Sequence, residues 1–334
     1  MTLRVPADGA QRPLASLLLI AYNQQATIGE AIAGALAQTY EPLEIVVSDD
    51  ASSDGTWAQM QTAVAGYTGP HRVTLNRNPV NLGIGAHLSH LVQISSGELL
   101  FVAAGDDVSL PQRCETVVAA WLAQERRPDL IASALVDIDA RGAEHATIVP
   151  SDLSTYASLA DWVRRPPFVV GAAQAWTRRV FERFGPLPPG VVAEDLVMVF
   201  RAIGSGGAIT LPQPLVRYRR GGISRPVRSL CAADVVRRLL KNNRHALAET
   251  ELLLRDAQAM GRLAEVEAPL RAQLARERFI AALFGATGTV ERTGIAWRAD
   301  GVPPALRLRL WVYAAAPWLL APFFALKRVL ARRR

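Results

Sequence analysis

The chain has 334 residues, half of them hydrophobic, which exceeds one average domain and is enough to bury a substantial core. Its net charge of +7 is unevenly spread: residues 1–224 hold 17 Lys and Arg against 21 Asp and Glu, and residues 225–334 hold 20 against 9. A basic rear part implies an anionic surface as partner. With no basic motif interleaved with aromatics, nucleic acid is set aside in favour of lipid.

In chain order, residues 1–13 read as a leader. Residues 14–21 are apolar, but Asn23, Gln24 and Gln25 follow at once and no small-residue cleavage site is visible. The run is therefore expected to be the first strand rather than a signal peptide, and the protein to be cytoplasmic. A helix is expected over 27–38, with Thr27 as N-cap and Glu30 completing a capping box. Strands at 43–48, 73–76 and 99–104 alternate with helices at 56–67 and from the 78–83 turn to about 95. Such alternation predicts a parallel α/β sheet joined by right-handed crossovers.

Two of these strands end in acid. The run 43–48 leads into Asp49 and Asp50, and Leu99 to Ala104 leads into Gly105, Asp106 and Asp107. Paired carboxylates at the carboxyl end of a buried strand are costly unless something cationic meets them. The crevice beyond the strand ends is also where open α/β sheets bind ligands. A divalent cation holding a diphosphate satisfies both conditions; a solvated Asp-Asp turn before a helix is the plainer alternative.

Beyond Pro111 a helix over 112–124 and a strand over 130–136 are expected. Residues 137–170 look irregular, 171–176 look like a strand, and 178–184 a helix. A turn-rich loop then delivers Glu194 and Asp195 at the start of a helix running to 203. Residues 230–284 read as long Arg/Ala/Leu-rich helices. Near the end, Leu310 to Leu326 carries no charge, holds Pro317 and Pro322, and is bracketed by Arg307, Arg309, Lys327 and Arg328, with Arg332 to Arg334 closing the chain. An interfacial or re-entrant membrane segment within 307–334 is expected; a buried core helix is the alternative. Cys114 and Cys231 lie far apart without metal-ligand spacing and read as ordinary thiols of a reducing compartment.

The ordered motifs in 14–224 resemble those of the inverting family 2 glycosyltransferases of the GT-A fold. They are the strand into Ala21-Tyr22-Asn23, Leu36 to Tyr40, Glu44 to Thr56, Asn81-Leu82-Gly83, Ser96-Gly97-Glu98 and Asp106-Asp107, with Gly171 to Gly185 and Glu194-Asp195 further on. The resemblance implies an α/β fold with a single Rossmann-like, mostly parallel sheet flanked by helices. Residues 14–111 would be its nucleotide-sugar half, 112–224 its acceptor half, and 225–334 a basic helical extension.

By position, the resemblance places Tyr22, Asn23, Asp50, Asn81, Gly83 and Asp106 around the nucleotide-sugar donor, with Asp50 accepting from a base N–H. Asp107, with Asp106, would hold Mn2+ or Mg2+, and Asp195 would be the catalytic base. Glu194, Arg219 and Arg220 fall near the acceptor or the diphosphate. Two departures stand out: the family's commoner form has an Asp where this chain has Ala104, and Gly221-Gly222 stand where a His is frequent. The implied activity is transfer of one sugar from a UDP- or dTDP-sugar to a hydroxyl of a lipid-linked surface glycan, by a protein peripheral on the inner face of the cell membrane. Transfer to a polyprenyl phosphate, and a non-catalytic nucleotide-sugar-binding scaffold, are the alternatives.

Overall fold

A computed structural model describes residues 12–219 and 231–325. The chain divides into two compact units, Met1–Ile223 and Ser224–Arg334. Arg220, Lys327, Arg328 and Arg332 to Arg334 lie outside the described residues, as do residues 1–11 of the expected leader.

The first unit opens with β1 (Ala15–Ala21), α1 (Ile28–Leu36), β2 (Leu43–Asp49), α2 (Thr56–Ala65), β3 (Arg72–Arg77), α3 (Ile84–Ile94) and β4 (Leu99–Ala104). These four strands lie parallel in the order β3-β2-β1-β4. Leu17, Leu18, Leu19, Ile45, Val47, Leu99 and Phe101 are all buried to within 1%. Burial on both faces explains why β1 and β4 read as unbroken apolar runs rather than alternating ones.

The second half of the sheet is mixed. It comprises β5 (Val108–Ser109), α4 (Arg113–Ala123), β6 (Leu130–Ile138), β7 (Glu144–Ile148), α5 (Leu159–Arg164), β8 (Gln174–Thr177), α6 (Arg178–Phe184), α7 (Glu194–Ile203) and β9 (Ala208–Arg219). The crossover from β4 through α4 suggests β6 as the next parallel neighbour. Instead β8 inserts between β4 and β6, antiparallel to both, while β9 runs parallel to β6. The strand expected at 171–176 begins as a 3-10 turn, Gly171–Ala173, and the stretch expected to be irregular contains β7 and α5.

The capping box expected at Thr27 does not form. Thr27 makes no side-chain cap; its hydroxyl donates to the carbonyl of Gly105 at 2.8 Å. Glu30 pairs instead with Arg219 at 2.7 Å. A guanidinium outcompetes a backbone N–H for a carboxylate because the bond is charge-assisted at both ends.

The second unit holds α8 (Ala232–Ala259), α9 (Glu267–Gly285), α10 (Thr289–Arg298) and α11 (Pro304–Ala315). Phe279, Ile280, Leu283, Val302 and Leu310 form its core, and the buried Asn243 amide ties α8 to α9 by donating to the carbonyl (2.8 Å) and carboxylate (2.7 Å) of Glu277. Among the described residues no single helix is long and apolar enough to cross a membrane. α11 and the segment Pro317–Ala325 pass that test only as a pair, bent by 104° at their junction. Pro317 supplies the break, since it has no N–H to continue the helix.

Candidate functional site

Parallel register brings the carboxyl ends of β2, β1 and β4 together. Ala21 lies opposite Asp49, and Ile20 opposite Ala104. Just beyond, the N–H of Asp50 donates to the carbonyl of Ala21 (2.9 Å) and that of Gly105 to the carbonyl of Ile20 (2.9 Å). Asp50 and the Asp106-Asp107 turn therefore flank the end of β1, where Tyr22 stands half exposed.

On the β2 side, Asp50 is 3% exposed and organises its own surroundings. Its carboxylate accepts from Asn78 Nδ2 (2.8 Å), Leu82 N (2.9 Å) and Gly83 N (2.9 Å), and its carbonyl accepts from Asn81 Nδ2 (3.2 Å). Gly83 has φ +77°, a left-handed conformation that glycine adopts without Cβ strain, and it lets both N–H groups point at one carboxylate. Asn23, also left-handed at φ +52°, donates from its N–H to Ser52 Oγ (2.8 Å) and accepts from Ser53 N (2.9 Å), tying the two loops together. The same polar network runs inward through Asn76 and Ser48 to His87, whose Nε2 lies 2.6 Å from Ser48 Oγ. Burial pushes His87 down to about 4, against the attraction of Asp50 and Asp49, so its ring is neutral.

On the β4 side, Asp107 is buried and accepts from the Arg219 N–H at 2.8 Å. Burial, with the neighbouring Asp106 charge adding to it, pushes the Asp107 carboxyl well above the ordinary carboxylate range, although Arg113 and Arg219 pull the other way. Asp106 is also raised by burial, despite a hydrogen bond from the Gln24 side chain. Two adjacent carboxyls, Asp107 buried and Asp106 partly so, both raised in spite of nearby arginines, mark a site short of positive charge. Among the described residues no cluster of three His, Cys, Asp or Glu surrounds them. Among the described residues the pair supplies carboxylate oxygens, which would suit a hard Mg2+- or Mn2+-type ion.

The Arg219 guanidinium is already engaged. It donates to the carbonyls of Asp106 (3.0 Å), Asp139 (3.2 Å) and Ala140 (3.3 Å) and to Glu30 (2.7 Å). It fastens the Asp106-Asp107 turn to α1 and the end of β6.

Glu194 and Asp195 open α7, where acidic side chains favour the helix N-terminus. Gln174 links them to the sheet: its Nε2 donates to the Asp195 carbonyl at 3.3 Å, and its Oε1 accepts from Trp176 Nε1 at 2.7 Å. The Gln174 carbonyl accepts from Arg113 (3.2 Å), which also donates to the carbonyl of Val102 (2.8 Å) and to Ser109 Oγ (2.9 Å). Because β8 runs antiparallel to β4, Gly171 to Gln174 fall at the carboxyl end of β4, on the same sheet edge as the acidic pair. Gly171 packs so close that a Cβ there would lie 2.6 Å from Glu194 Oε1.

Sequence reasoning missed Gln24, Asn78, His87, Arg113, Gly171 and Gln174. Arg113, six residues beyond Asp107 at the start of α4, carries no sequence signal of burial yet is 1% exposed.

With this geometry in place, the sequence profile described as "Glycosyl transferase family 2" matches residues 16–147, spanning both acidic strand ends. Over those residues the chain resembles the family 2 glycosyltransferases. The putative glycosyltransferase EpsE of Bacillus subtilis is 32% identical over 139 residues, 42% of this chain and 49% of EpsE. The Escherichia coli UDP-Glc:alpha-D-GlcNAc-diphosphoundecaprenol beta-1,3-glucosyltransferase WfaP is 46% identical over 44 residues, 13% of this chain and 18% of WfaP. The chain spans about half of the length of EpsE and less of WfaP. Among solved structures, the mannosyltransferase PcManGT of Pyrobaculum calidifontis, in complex with GDP-Man and Mn2+, superposes with a TM-score of 0.54 at 19% identity, covering 96% of this chain and 90% of that one. That likeness supports the GT-A fold.

Proposed function

We propose that this chain is a divalent-metal-dependent, inverting glycosyltransferase. It moves one sugar from a nucleotide-diphosphate donor, a UDP- or dTDP-sugar, to a hydroxyl of a lipid-linked surface glycan at the inner face of the cell membrane. The observation that carries the reading is the Asp106-Asp107 pair, with Asp107 buried and both carboxyls raised in pKa, set beside Asp50 at the end of β1. The UDP donor and lipid-diphosphate acceptor named for WfaP, and the Mn2+ and nucleotide sugar with PcManGT, agree with it.

In this reading Tyr22, Asn23, Asp50, Asn81 and Gly83 seat the nucleoside and sugar, and Asp50 accepts from a base N–H with the oxygen lone pairs its loop leaves open. Asp107 and Asp106 hold the Mn2+ or Mg2+, which when bound neutralises charge developing on the leaving diphosphate. Asp195 takes the proton from the acceptor hydroxyl as that oxygen bonds to the anomeric carbon. The bond from that carbon to the diphosphate breaks on the opposite face, and its electron pair leaves with the nucleotide. Glu194, beside Asp195, orients the acceptor.

The test is a thermal-shift panel of UDP, dTDP, GDP and CMP, each with and without Mn2+. Metal-dependent stabilisation by one nucleoside diphosphate, lost in Asp107→Ala, is the expected result. A flat panel would overturn the donor assignment and favour a non-catalytic scaffold.

A further inference from the structure

The outer side of the α10–α11 pair presents an apolar groove that the second unit's own core does not fill. The inner side is well satisfied: Ile295, Ala296, Leu306 and Ala314 pack on the core, and Arg292 donates to the carbonyl of Ala314 at 2.6 Å. Outside, Trp297, Pro304 and Leu308 line a groove of about 580 Å3 with Arg307 on its wall, and Ala296 and Trp311, which also pack on the core, complete the lining. Trp297 is 85% exposed and Leu308 64%. In the segment after the Pro317 bend, Trp318, Leu319 and Phe323 are also each more than half exposed. An exposed apolar groove of this kind marks an interaction site rather than ordinary surface scatter.

Arg307 gives the groove its chemistry. Its Nη1 donates to the last carbonyls of α10, Trp297 (3.1 Å) and Ala296 (3.5 Å), which fixes the guanidinium in place. Its Nε–H is buried and has no hydrogen-bond partner among the described residues. A fixed, partly exposed cation set in an apolar wall complements an amphiphile with a phosphate head and a hydrocarbon tail. Arg298 and Arg309 flank it in sequence, within the part of the chain where Lys and Arg outnumber Asp and Glu by 20 to 9. Tryptophan beside arginine is the pairing that settles at a bilayer interface, with rings at headgroup depth and cations among phosphates.

We infer that the α10–α11 groove seats an anionic phospholipid of the bilayer, one acyl chain along Trp297, Leu308 and Trp311 and its phosphate at Arg307. This rests on the membrane-peripheral part of the proposed function and adds to it a lipid class and a site. It assigns contact to a groove that does not depend on the chain crossing the bilayer.

The experiment uses the full chain with phosphatidylcholine vesicles, with and without phosphatidylglycerol, read by co-sedimentation and by quenching of tryptophan fluorescence with bromo-acyl lipid. The wild type is expected to prefer the phosphatidylglycerol vesicles and to be quenched. Trp297→Glu and Leu308→Glu, both solvent-facing changes checked by circular dichroism, are each expected to weaken partitioning about tenfold. Arg307→Gln is expected to abolish the preference for phosphatidylglycerol. Binding that is unquenched, or unchanged in folded Trp297→Glu, overturns the site. Trp297-dependent dimerisation without vesicles would identify a second copy as the occupant and also overturn it. The nucleotide panel on the same wild-type preparation reads the transferase assignment independently, so either can fail alone.

Discussion

The side-chain amide of Gln174 donates to the main-chain carbonyl of Asp195 at 3.3 Å. Since the Gln174 carbonyl is itself held by buried Arg113, which also grips Val102 in β4, one residue fixes the start of α7 relative to the strand that carries the acidic pair. Gln174→Leu keeps most of the volume but removes this donor and leaves Trp176 Nε1 without its acceptor, at a stability cost of about 1–3 kcal/mol. If Gln174 positions the base, the maximal rate falls about tenfold or more while donor KM holds, because misplacement by a fraction of an ångström is felt in the reacting geometry. A lowered Tm with unchanged kcat would reduce Gln174 to packing.

Asp195→Asn keeps shape and hydrogen-bonding reach but cannot accept the acceptor's proton. Nucleotide stabilisation in the thermal-shift assay should persist, whereas transfer should drop by about 100- to 10,000-fold, the usual scale of a general base. Residual transfer near the wild-type rate would remove Asp195 from that role.

The first half of the fold was legible because local composition decides it. β1 and β4 are apolar runs buried on both faces, and their acidic ends stand out against them. What stayed hidden depends on partners distant in sequence. Glu30 sits at capping-box spacing from Thr27, yet its partner is Arg219, 189 residues away. Arg113 follows Pro111 as an exposed helix residue would, but the interior offers it two carbonyls and a hydroxyl that repay its desolvation. The direction of β8 was unreadable for the same reason, since a short strand after a long loop carries no signal of which neighbours it joins. Of the site, the carboxylates that would meet a ligand could be named, but the groups that hold them could not.

The acidic pair sets a pH dependence for metal binding. In the folded, metal-free chain Asp107 holds its proton up to about 8, whereas in the unfolded chain an Asp ionises near 3.9. The folded state therefore binds more protons across that window, and metal-free stability falls as pH rises through it. Binding a divalent cation expels the proton, so Mn2+ affinity should rise with pH over the same range and level off above it. Calorimetric titration in buffers of different ionisation enthalpy measures the proton released. A pH-independent affinity, or no loss of binding in Asp107→Asn, would count against these ligands.

His87 contributes the opposite slope within the lower part of the same window. Its folded value of about 4 lies below the unfolded 6.5, so the unfolded state takes up a proton first as pH falls. The His87 contribution, which opposes that of Asp107, is retained above about pH 6.5 and declines between there and about pH 4, by on the order of 3 kcal/mol if the shift is realised in full. Urea unfolding across this range reads it, and His87→Gln should flatten that part of the profile. An unchanged slope in the variant would place the acid sensitivity elsewhere.

Gly171 supplies a subtler probe of the acidic pair on α7. A methyl added there would lie 2.6 Å from Glu194 Oε1 and 3.5 Å from Asp195 Cβ. The nearer atom is the end of a flexible side chain, so Gly171→Ala should be absorbed by swinging Glu194 aside, with about 1 kcal/mol or less lost in stability. If Glu194 orients the acceptor, acceptor KM should rise several-fold while nucleotide binding holds. The double variant with Glu194→Ala separates the two effects: once the carboxylate is gone, the methyl has nothing to displace, and Gly171→Ala should add nothing further. Additive losses in the double variant would show that the glycine serves the backbone of the 171–173 turn and not the seat of Glu194.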